Sequence, residues 1–316
     1  MFWLIIIFCI LVVLFFGTLF GLYRFVFHSP RKGQNNPHAL LKGEQYDRHA
    51  AEMESLVCRI EAEPFEAVSI TAYDGTKLYG RLYLRRENAP IAICMHGYRG
   101  TAYRDFSGGA LLALRNGQNV LLPDERAHGK SAGHTITFGD REQRDLLSWA
   151  EYLNSRYGEQ IPLYFYGISM GASTVLLSSG GKTPKNLRGI VADCPYDSAK
   201  SIICDILSRL SLPRKLLYPM ISLSGKLFGG VNLKNTDAAQ AVKRSEVPIL
   251  ILHGDDDRFV PAFMSSAIEK ANPEIISRIT FPGAGHGMSY LEDPKRYEKA
   301  IAEFLISTGF YPEREN

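Results

Sequence analysis

The chain has 316 residues, of which 46% are hydrophobic, and its formal net charge is +3. This length allows one large domain or two small ones, enough to bury a sizeable core. The nearly balanced charge argues against a nucleic-acid-binding protein, which usually carries a concentrated basic face.

The chain begins with an uncharged apolar run from Phe2 to Tyr23. As a helix this run would be about 33 Å long, enough to cross a hydrocarbon core of about 30 Å. No lysine or arginine precedes it, and bulky residues continue to Phe27. These features favour an uncleaved membrane anchor over residues 1–27 and disfavour the alternative, a cleaved signal peptide.

Basic residues on the carboxyl-terminal side of the run indicate its orientation. They are Arg24, Arg31, Lys32 and Lys42. The positive-inside rule predicts a single-pass membrane protein whose globular part is cytoplasmic. The five cysteines form neither a disulfide framework nor a metal-binding spacing, which favours the same side. An outward-facing domain is the alternative.

Residues 28–65 are expected to connect the anchor to the globular part. Residues 28–38 have the composition of a polar linker. An amphipathic helix should follow, since apolar residues recur at steps of four and three, namely Tyr46, Ala50, Met53, Val57 and Ile60. The helix could pack on the next domain or lie along the bilayer, and its weakly basic polar face favours packing.

From residue 66 the pattern changes to short strands and longer helices. Asp74-Gly75 indicates a hairpin. Short apolar runs follow at 91–95, 119–123, 161–166, 187–194, 247–253 and 275–281, with helical patterns such as 141–157 and 263–271 between them. This alternation predicts an α/β domain over 66–316, with a mostly parallel central sheet flanked by helices. Functional groups should collect at the carboxyl ends of the strands.

The segment 195–246 is too long for a simple crossover between strands. It contains apolar helix-like pieces that break at Pro213 and Pro219. We expect an inserted helical lid here. The alternative is a set of ordinary crossover helices with no gating role.

Two serines, Ser131 and Ser169, lie in a G-x-S-x-G pattern. In a nucleophile elbow a strand enters a sharp turn and a helix leaves it, and the flanking glycines relieve crowding. Only Ser169 has an apolar run directly before it and a helix-compatible run after it. Ser169 is therefore the candidate nucleophile, and Ser131 is interpreted as a loop serine.

A serine nucleophile needs a general base, which is usually a histidine. His286 lies between two glycines directly after a predicted strand, so its ring has room to reach the serine. His96 and His253 occur in His-Gly steps that more often shape turns. His128 lies in a polar loop and is expected to be structural.

The base needs an acid that orients it. Asp255, Asp256 and Asp257 follow a predicted strand between the serine and the histidine. Three aspartates could also bind a metal ion, but no neighbouring histidine or glutamate cluster completes such a site. We therefore expect neither a metal nor a cofactor.

The segment from about Glu66 to Phe310 resembles the α/β-hydrolase superfamily. It is most similar to membrane-anchored bacterial members of the serine-aminopeptidase-like and acyltransferase/thioesterase-like branches. The motifs that carry the resemblance are HGYRG (96–100), DERAHGKS (124–131), GISMG (167–171), HGDDDRFVP (253–261) and AGHG (284–287). Ala127 replaces a glycine that is common in the second motif, which should alter a turn and leave the chemistry unchanged.

The resemblance implies a role for each matching residue. Ser169 matches the nucleophile, His286 the base, and Asp257 the acid, although Asp255 and Asp256 crowd the same loop. The backbone N–H groups of Tyr98 and Met170 match the oxyanion hole.

These residues predict a serine hydrolase that cleaves carboxylic esters through an acyl-enzyme. The apolar insertion and the anchor suggest small-molecule or lipid-like acyl substrates. Basic residues of the insertion (Arg209, Arg214, Lys215 and Lys226) could bind an acidic head group or be solvated surface. A peptidase, amidase or thioesterase would use the same triad. A non-catalytic binding protein is a further alternative, which the intact triad disfavours.

Overall fold

We describe the protein from a computed structural model, over residues 1–29, 36 and 38–311. Arg31 and Lys32, on which the predicted orientation partly depends, lie outside the described residues, as does most of the predicted linker 28–38.

A single eight-stranded sheet forms the centre of the described structure. Its strands are β1 (Glu66–Thr71), β2 (Lys77–Tyr83), β3 (Ile91–Met95), β4 (Asn119–Asp124), β5 (Leu163–Ile168), β6 (Leu187–Asp193), β7 (Ile249–Gly254) and β8 (Ile276–Phe281). Their order in the sheet is β1-β2-β4-β3-β5-β6-β7-β8. The β1–β2 and β2–β4 pairs are antiparallel, and the other pairs are parallel. The predicted fold class and strand positions are confirmed.

Helices cover both faces of this sheet. The α-helices of the described residues are α1 (Phe2–Val26), α2 (Glu44–Asp47), α3 (Ala50–Ala62), α4 (Ala102–Arg115), α5 (Glu142–Tyr157), α6 (Met170–Ser178), α7 (Ala199–Arg209), α8 (Arg214–Ser224), α9 (Ala238–Ala241), α10 (Phe263–Ala271), α11 (Ser289–Glu292) and α12 (Pro294–Ser307). Helices α3, α4 and α12 share a core with one face of the sheet, and α5, α6 and α10 share a core with the other.

The apolar strands are buried on both sides, which explains why they are continuously hydrophobic. In β3 the side chains of Ala92 and Cys94 join the core with α4, while Ile93 and Met95 join the core with α5 and α6. This alternation follows from the two-residue period of a strand. Successive side chains of one strand therefore pack against the helices on opposite faces of the sheet.

The amphipathic helix after the linker packs on the α/β domain. Helix α3 lies against α4, with Met53, Val57 and Ile60 buried. Its apolar stripe is thus used in the protein core, as the packing interpretation expects.

The insertion between β6 and β7 is helical, as predicted. It contains α7, α8, a π-helical turn (Gly225–Gly229) and α9. Its apolar residues Ile203, Ile221 and Val231 form one core cluster with Tyr23 and Phe27 at the end of α1. The insertion therefore packs against the carboxyl-terminal end of α1.

Helix α1 contains 25 residues and is long and apolar enough to cross a membrane. Nearly all of it is exposed, and only Leu19 and Tyr23 within it are buried. A helix with large exposed apolar side chains on every side suits a lipid environment.

Candidate active site

Ser169 lies at a sharp turn between β5 and α6, with φ 57° and ψ −116°. Its backbone N–H donates to the carbonyl of Asp193, with 2.9 Å between N and O. A Cβ at Gly167 would lie 2.3 Å from the carbonyl oxygen of Gly171, and one at Gly171 would lie 1.9 Å from that of Met95. Close approach of backbone to backbone thus requires both glycines of the motif.

We expect Gly171→Ala to lower the free energy of unfolding by at least about 3 kcal/mol, because the new methyl group meets backbone that cannot turn aside. Urea unfolding of the detergent-solubilised protein measures this change. Gly181→Ala is the matched control, since a Cβ there meets no atom within 4 Å. Equal stability of the two variants would contradict the close-approach explanation.

The structure brings Ser169, His286 and Asp257 together. The Oγ of Ser169 is 2.9 Å from Nε2 of His286, and Nδ1 of His286 is 2.7 Å from Oδ2 of Asp257. All three side chains are almost fully buried. The Oγ of Ser131, by contrast, donates to the carbonyl of Asp124 and thereby stabilises the loop 124–131.

Asp257 is held as a carboxylate by its surroundings. Burial raises its pKa, but the charge of His286 and hydrogen bonds from His253 and His286 outweigh this, so its pKa lies below the ordinary value. Its Oδ1 accepts the N–H groups of Phe259 (2.8 Å) and Val260 (2.7 Å). An ionised acceptor of this kind orients an imidazole and stabilises its protonated form.

The two neighbouring aspartates have other contacts. Oδ1 of Asp255 accepts the N–H of Gly283 at 2.6 Å, and Asp256 pairs with Arg258 at the surface. Of the three aspartates, Asp257 is therefore the one that contacts His286.

His253 supports the acid loop, a role that the sequence pattern did not reveal. Its side chain is fully buried, and Nε2 lies 2.9 Å from the carbonyl oxygen of Val260 and 3.3 Å from Oδ2 of Asp257. The His-Gly step suggested only a turn. The only feature of the sequence that could have indicated contact between His253 and Asp257 is their separation by four residues.

The residues expected to form the oxyanion hole lie beside Ser169. Tyr98 lines the cavity at Ser169, and Met170 is the first residue of α6, where a backbone N–H has no earlier helical turn to bond. The N–H of Gly97, the residue before Tyr98, donates to Oδ2 of Asp105 at 2.9 Å. Asp105, which the sequence pattern did not single out, thereby shapes the loop that carries Tyr98.

Two buried histidines support the same loop from behind. The N–H of Arg99 donates to Nε2 of His128 at 3.1 Å, and that of Glu125 donates to Nε2 of His96 at 3.0 Å. Burial lowers the pKa of both imidazoles, so both stay neutral and accept these hydrogen bonds. His128 thus has structural contacts, as its polar loop suggested.

Ala127 stands in the second motif at a position where glycine is common. Its φ is 64°, in the left-handed region. A non-glycine residue there costs roughly 1–2 kcal/mol. The departure therefore places a strained residue in this turn.

A cavity of about 280 Å³ opens onto Ser169 and His286. Its far wall comes from the amino-terminal segment, through Leu41, Gln45, Tyr46 and Met53. None of the described lining residues belongs to 195–246. The wall over the site is thus residues 41–53, and the predicted lid role of the insertion gains no support from the cavity.

Gln45 links this wall to the candidate base. Its Oε1 accepts the backbone N–H of His286 at 3.2 Å. Arg48 donates to the carbonyl of Gly283 and pairs with Glu292, on either side of His286. The segment before α3 is therefore fastened to the loop that carries His286.

Among the described residues, two groups of side chains have the spacing of metal ligands. In the first, both ring nitrogens of His38 already contact the carboxylates of Glu54 and Glu61. The second combines Cys194 with Asp257 and His286. Burial raises the pKa of the Cys194 thiol, which keeps it protonated and a poor ligand. The contacts of both groups are explained without a metal.

Comparison with known proteins identifies the family. The profile of the alpha/beta hydrolase family matches residues 92–300, more than half of the chain. The chain therefore belongs to the alpha/beta hydrolase family.

Curated relatives and solved structures agree with this. The chain is 28% identical over 252 residues to the uncharacterized protein YqkD of Bacillus subtilis, covering 77% of this chain and 81% of YqkD. It is 26% identical over 290 residues to the bifunctional esterase/perhydrolase DCH of Acinetobacter calcoaceticus, covering 75% and 99% of the two chains. The Pyrococcus furiosus esterase Pf2001 has a similar fold, with a TM-score of 0.64, 24% identity and coverage of 79% and 93%. Relatives of this kind support hydrolase activity.

Proposed function

We propose that this protein is a serine hydrolase that cleaves carboxylic esters through an acyl-enzyme. The observation that carries the proposal is the 2.9 Å contact between the Oγ of Ser169 and Nε2 of His286, whose Nδ1 contacts Asp257. With the Nδ1 proton donated to Asp257, Nε2 is free to accept the proton of the serine hydroxyl.

The reaction has two steps. Ser169 attacks the ester carbonyl while His286 takes its proton, and His286 then returns that proton to the departing alkoxide. Water then attacks the acyl-enzyme while His286 takes one of its protons, the bond between the acyl carbon and the Oγ of Ser169 breaks, and His286 returns the proton to Oγ as the carboxylic acid leaves. In each step the N–H groups of Tyr98 and Met170 would bind the oxyanion, and one such donor typically contributes about 3 kcal/mol in the transition state.

The lining of the cavity favours apolar esters over peptides. Leu41, Met53 and Phe259 are among its lining residues. Arg104 and Asp105 are the charged residues among those described as lining it, and they pair with each other at 2.8 Å. An aminopeptidase needs an unpaired carboxylate for the substrate's ammonium group. Acyl esters therefore suit the cavity better, in keeping with the esterase activity named for the Acinetobacter relative.

We also propose that α1 anchors the protein in a membrane, with the hydrolase domain on the cytoplasmic side. The support is the length and exposed apolar surface of α1, together with the basic residues Arg24 in its last turn and Lys42 after it.

A fluorophosphonate probe tests for an activated serine without assuming a substrate. We expect the full-length protein in detergent to be labelled, Ser169→Ala to lose the label, and Ser131→Ala to keep it. Hydrolysis of matched ester, thioester and amide substrates then defines the bond cleaved. An unlabelled but folded wild-type protein would contradict the proposal.

A further inference from the structure

The insertion exposes an unusual number of large apolar side chains. We define the insertion surface as Leu210, Leu212, Leu216, Leu223, Leu227 and Phe228, all of which are exposed. Leu210 is 63% exposed and Leu216 is 61% exposed, in a segment of fewer than twenty residues. Single exposed leucines are ordinary, but a group of this size marks an interaction surface.

The insertion surface adjoins the end of the proposed anchor. The ring of Phe228 lies 5.3 Å from that of Phe20 and 5.9 Å from that of Tyr23. A Cβ at Gly225 would lie 2.6 Å from the ring of Phe27. These contacts fix the insertion against the last two turns of α1. If the apolar part of α1 is in the hydrocarbon core, the insertion lies at the depth of the lipid head groups.

The charge of this segment suits an anionic membrane. Residues 205–237 contain five basic side chains and two acidic ones, Asp205, which pairs with Arg209 at 2.8 Å, and Asp237, so the net charge of the segment is +3. The basic residues are Arg209, Arg214, Lys215, Lys226 and Lys234. Apolar residues interspersed with cations are typical of elements that lie in the interface of a negatively charged bilayer.

The insertion also reaches the rim of the candidate active site, through Arg209, which directly precedes Leu210 of the insertion surface. The guanidinium of Arg209 donates to the carbonyl of Phe259 at 2.8 Å. Phe259 is 42% exposed, lines the cavity, and has its ring 5.0 Å from that of His286. One side of Phe259 therefore belongs to the outer surface and the other to the cavity.

We propose that the insertion surface is a second membrane contact, embedded in the interface of an anionic bilayer beside α1. The leucines would enter the upper acyl region, and the basic side chains would bind phosphate head groups. Phe259 then places the mouth of the cavity close to the lipid, so that an ester can pass from the bilayer toward Ser169. The depth of the surface rests on α1 as the anchor, and the substrate route rests on the proposed esterase function.

Depth measurement tests the contact directly. The full chain, with Cys9, Cys58 and Cys204 replaced by serine, would carry Leu216→Cys or Leu223→Cys and an environment-sensitive fluorophore. Glu159→Cys is the control. Glu159 is exposed and precedes the amino-terminal end of β5, whereas Ser169 follows the carboxyl-terminal end of that strand. Each protein is reconstituted in vesicles of phosphatidylethanolamine and phosphatidylglycerol.

We expect lipids with a nitroxide high on the acyl chain to quench the two insertion labels at least about threefold more than the control label. Aqueous iodide should show the reverse order. Equal iodide quenching at all three positions would overturn the proposal. Labels shielded from both quenchers would also overturn it and indicate a protein cover, such as a second copy of the chain.

An activity measurement separates this proposal from the proposed function. Leu216→Asp combined with Leu223→Asp should slow hydrolysis of a long-chain ester embedded in vesicles at least about tenfold, while a soluble short-chain ester is hydrolysed at the parent rate. Equal rates on both esters for parent and variant would contradict the substrate route. If the parent hydrolyses neither ester, the esterase function fails, and the depth measurement still decides the membrane contact.

Discussion

Ser169→Ala is expected to reduce kcat for hydrolysis of an activated short-chain ester by at least about 10⁴-fold. Alanine would remove the oxygen that we propose forms the acyl-enzyme, while the proposed oxyanion donors and the cavity would remain. The residual rate would then come from binding and orientation of the ester beside water. Initial rates with a p-nitrophenyl ester, over a range of concentrations, separate the effect on kcat from that on KM.

A second serine of the same helix provides the control. The Oγ of Ser173 donates to the carbonyl of Tyr196 at 2.8 Å and accepts the N–H of the same residue at 3.0 Å. Ser173→Ala should keep kcat within a few-fold of the wild-type value, provided that the variant folds. A Ser169→Ala protein with wild-type kcat would contradict the assignment of the nucleophile.

Asp257→Asn is expected to lower kcat by about 10⁴-fold, with a small change in KM. An asparagine amide can donate to Nδ1 of His286, which would place the imidazole proton on Nε2 and leave no acceptor for the proton of Ser169. It would also remove the negative charge that stabilises the protonated ring. Asp256→Asn is the matched control, because Asp256 is exposed and its carboxylate pairs with Arg258 at the surface.

The same variant should change the dependence of stability on pH. The pKa of Asp257 is lowered on folding from an ordinary value of 3.8, so its carboxylate stabilises the folded protein above that pH. This contribution is lost as the pH falls through the folded-state pKa. Asp257→Asn should therefore be less stable than the wild type at neutral pH, with a smaller difference in strong acid.

A specific alternative outcome would reassign the acid. Asp193 ends β6 and is buried, and burial raises its pKa to about 6, against the opposing influence of His253 and His286. Wild-type kcat in Asp257→Asn together with a large loss in Asp193→Asn would transfer the role to Asp193. Loss in Asp257→Asn alone would support the proposed triad.

Much of the fold follows from local sequence patterns. The runs at 91–95 and 119–123 become β3 and β4 with boundaries that differ by at most one residue. They could be predicted because strands buried on both faces must be continuously apolar, a property of neighbouring residues. The elbow at Ser169 was predictable for a similar reason, since an apolar strand, a glycine-flanked turn and a helix-compatible run follow one another directly in the sequence.

Other features depended on contacts between distant parts of the chain. Gln45 is 241 residues from His286, to which it is hydrogen-bonded, and no local pattern predicts that pair. The same holds for His253, whose role beside Asp257 depends on the direction of its side chain at the end of β7. The insertion was recognisable as helical, yet its partner, the end of α1, could not be identified from hydrophobicity alone.

The sequence by itself determined the class of fold, the elbow and the set of candidate triad residues, because each depends on periodicity, turn chemistry or short spacing. Only the tertiary structure decided that Asp257 contacts His286, that residues 41–53 wall the cavity, and that the insertion rests on α1. Hydrophobic burial drives such packing without specifying partners. The partners are selected by the shape and direction of side chains that meet only after the chain has folded.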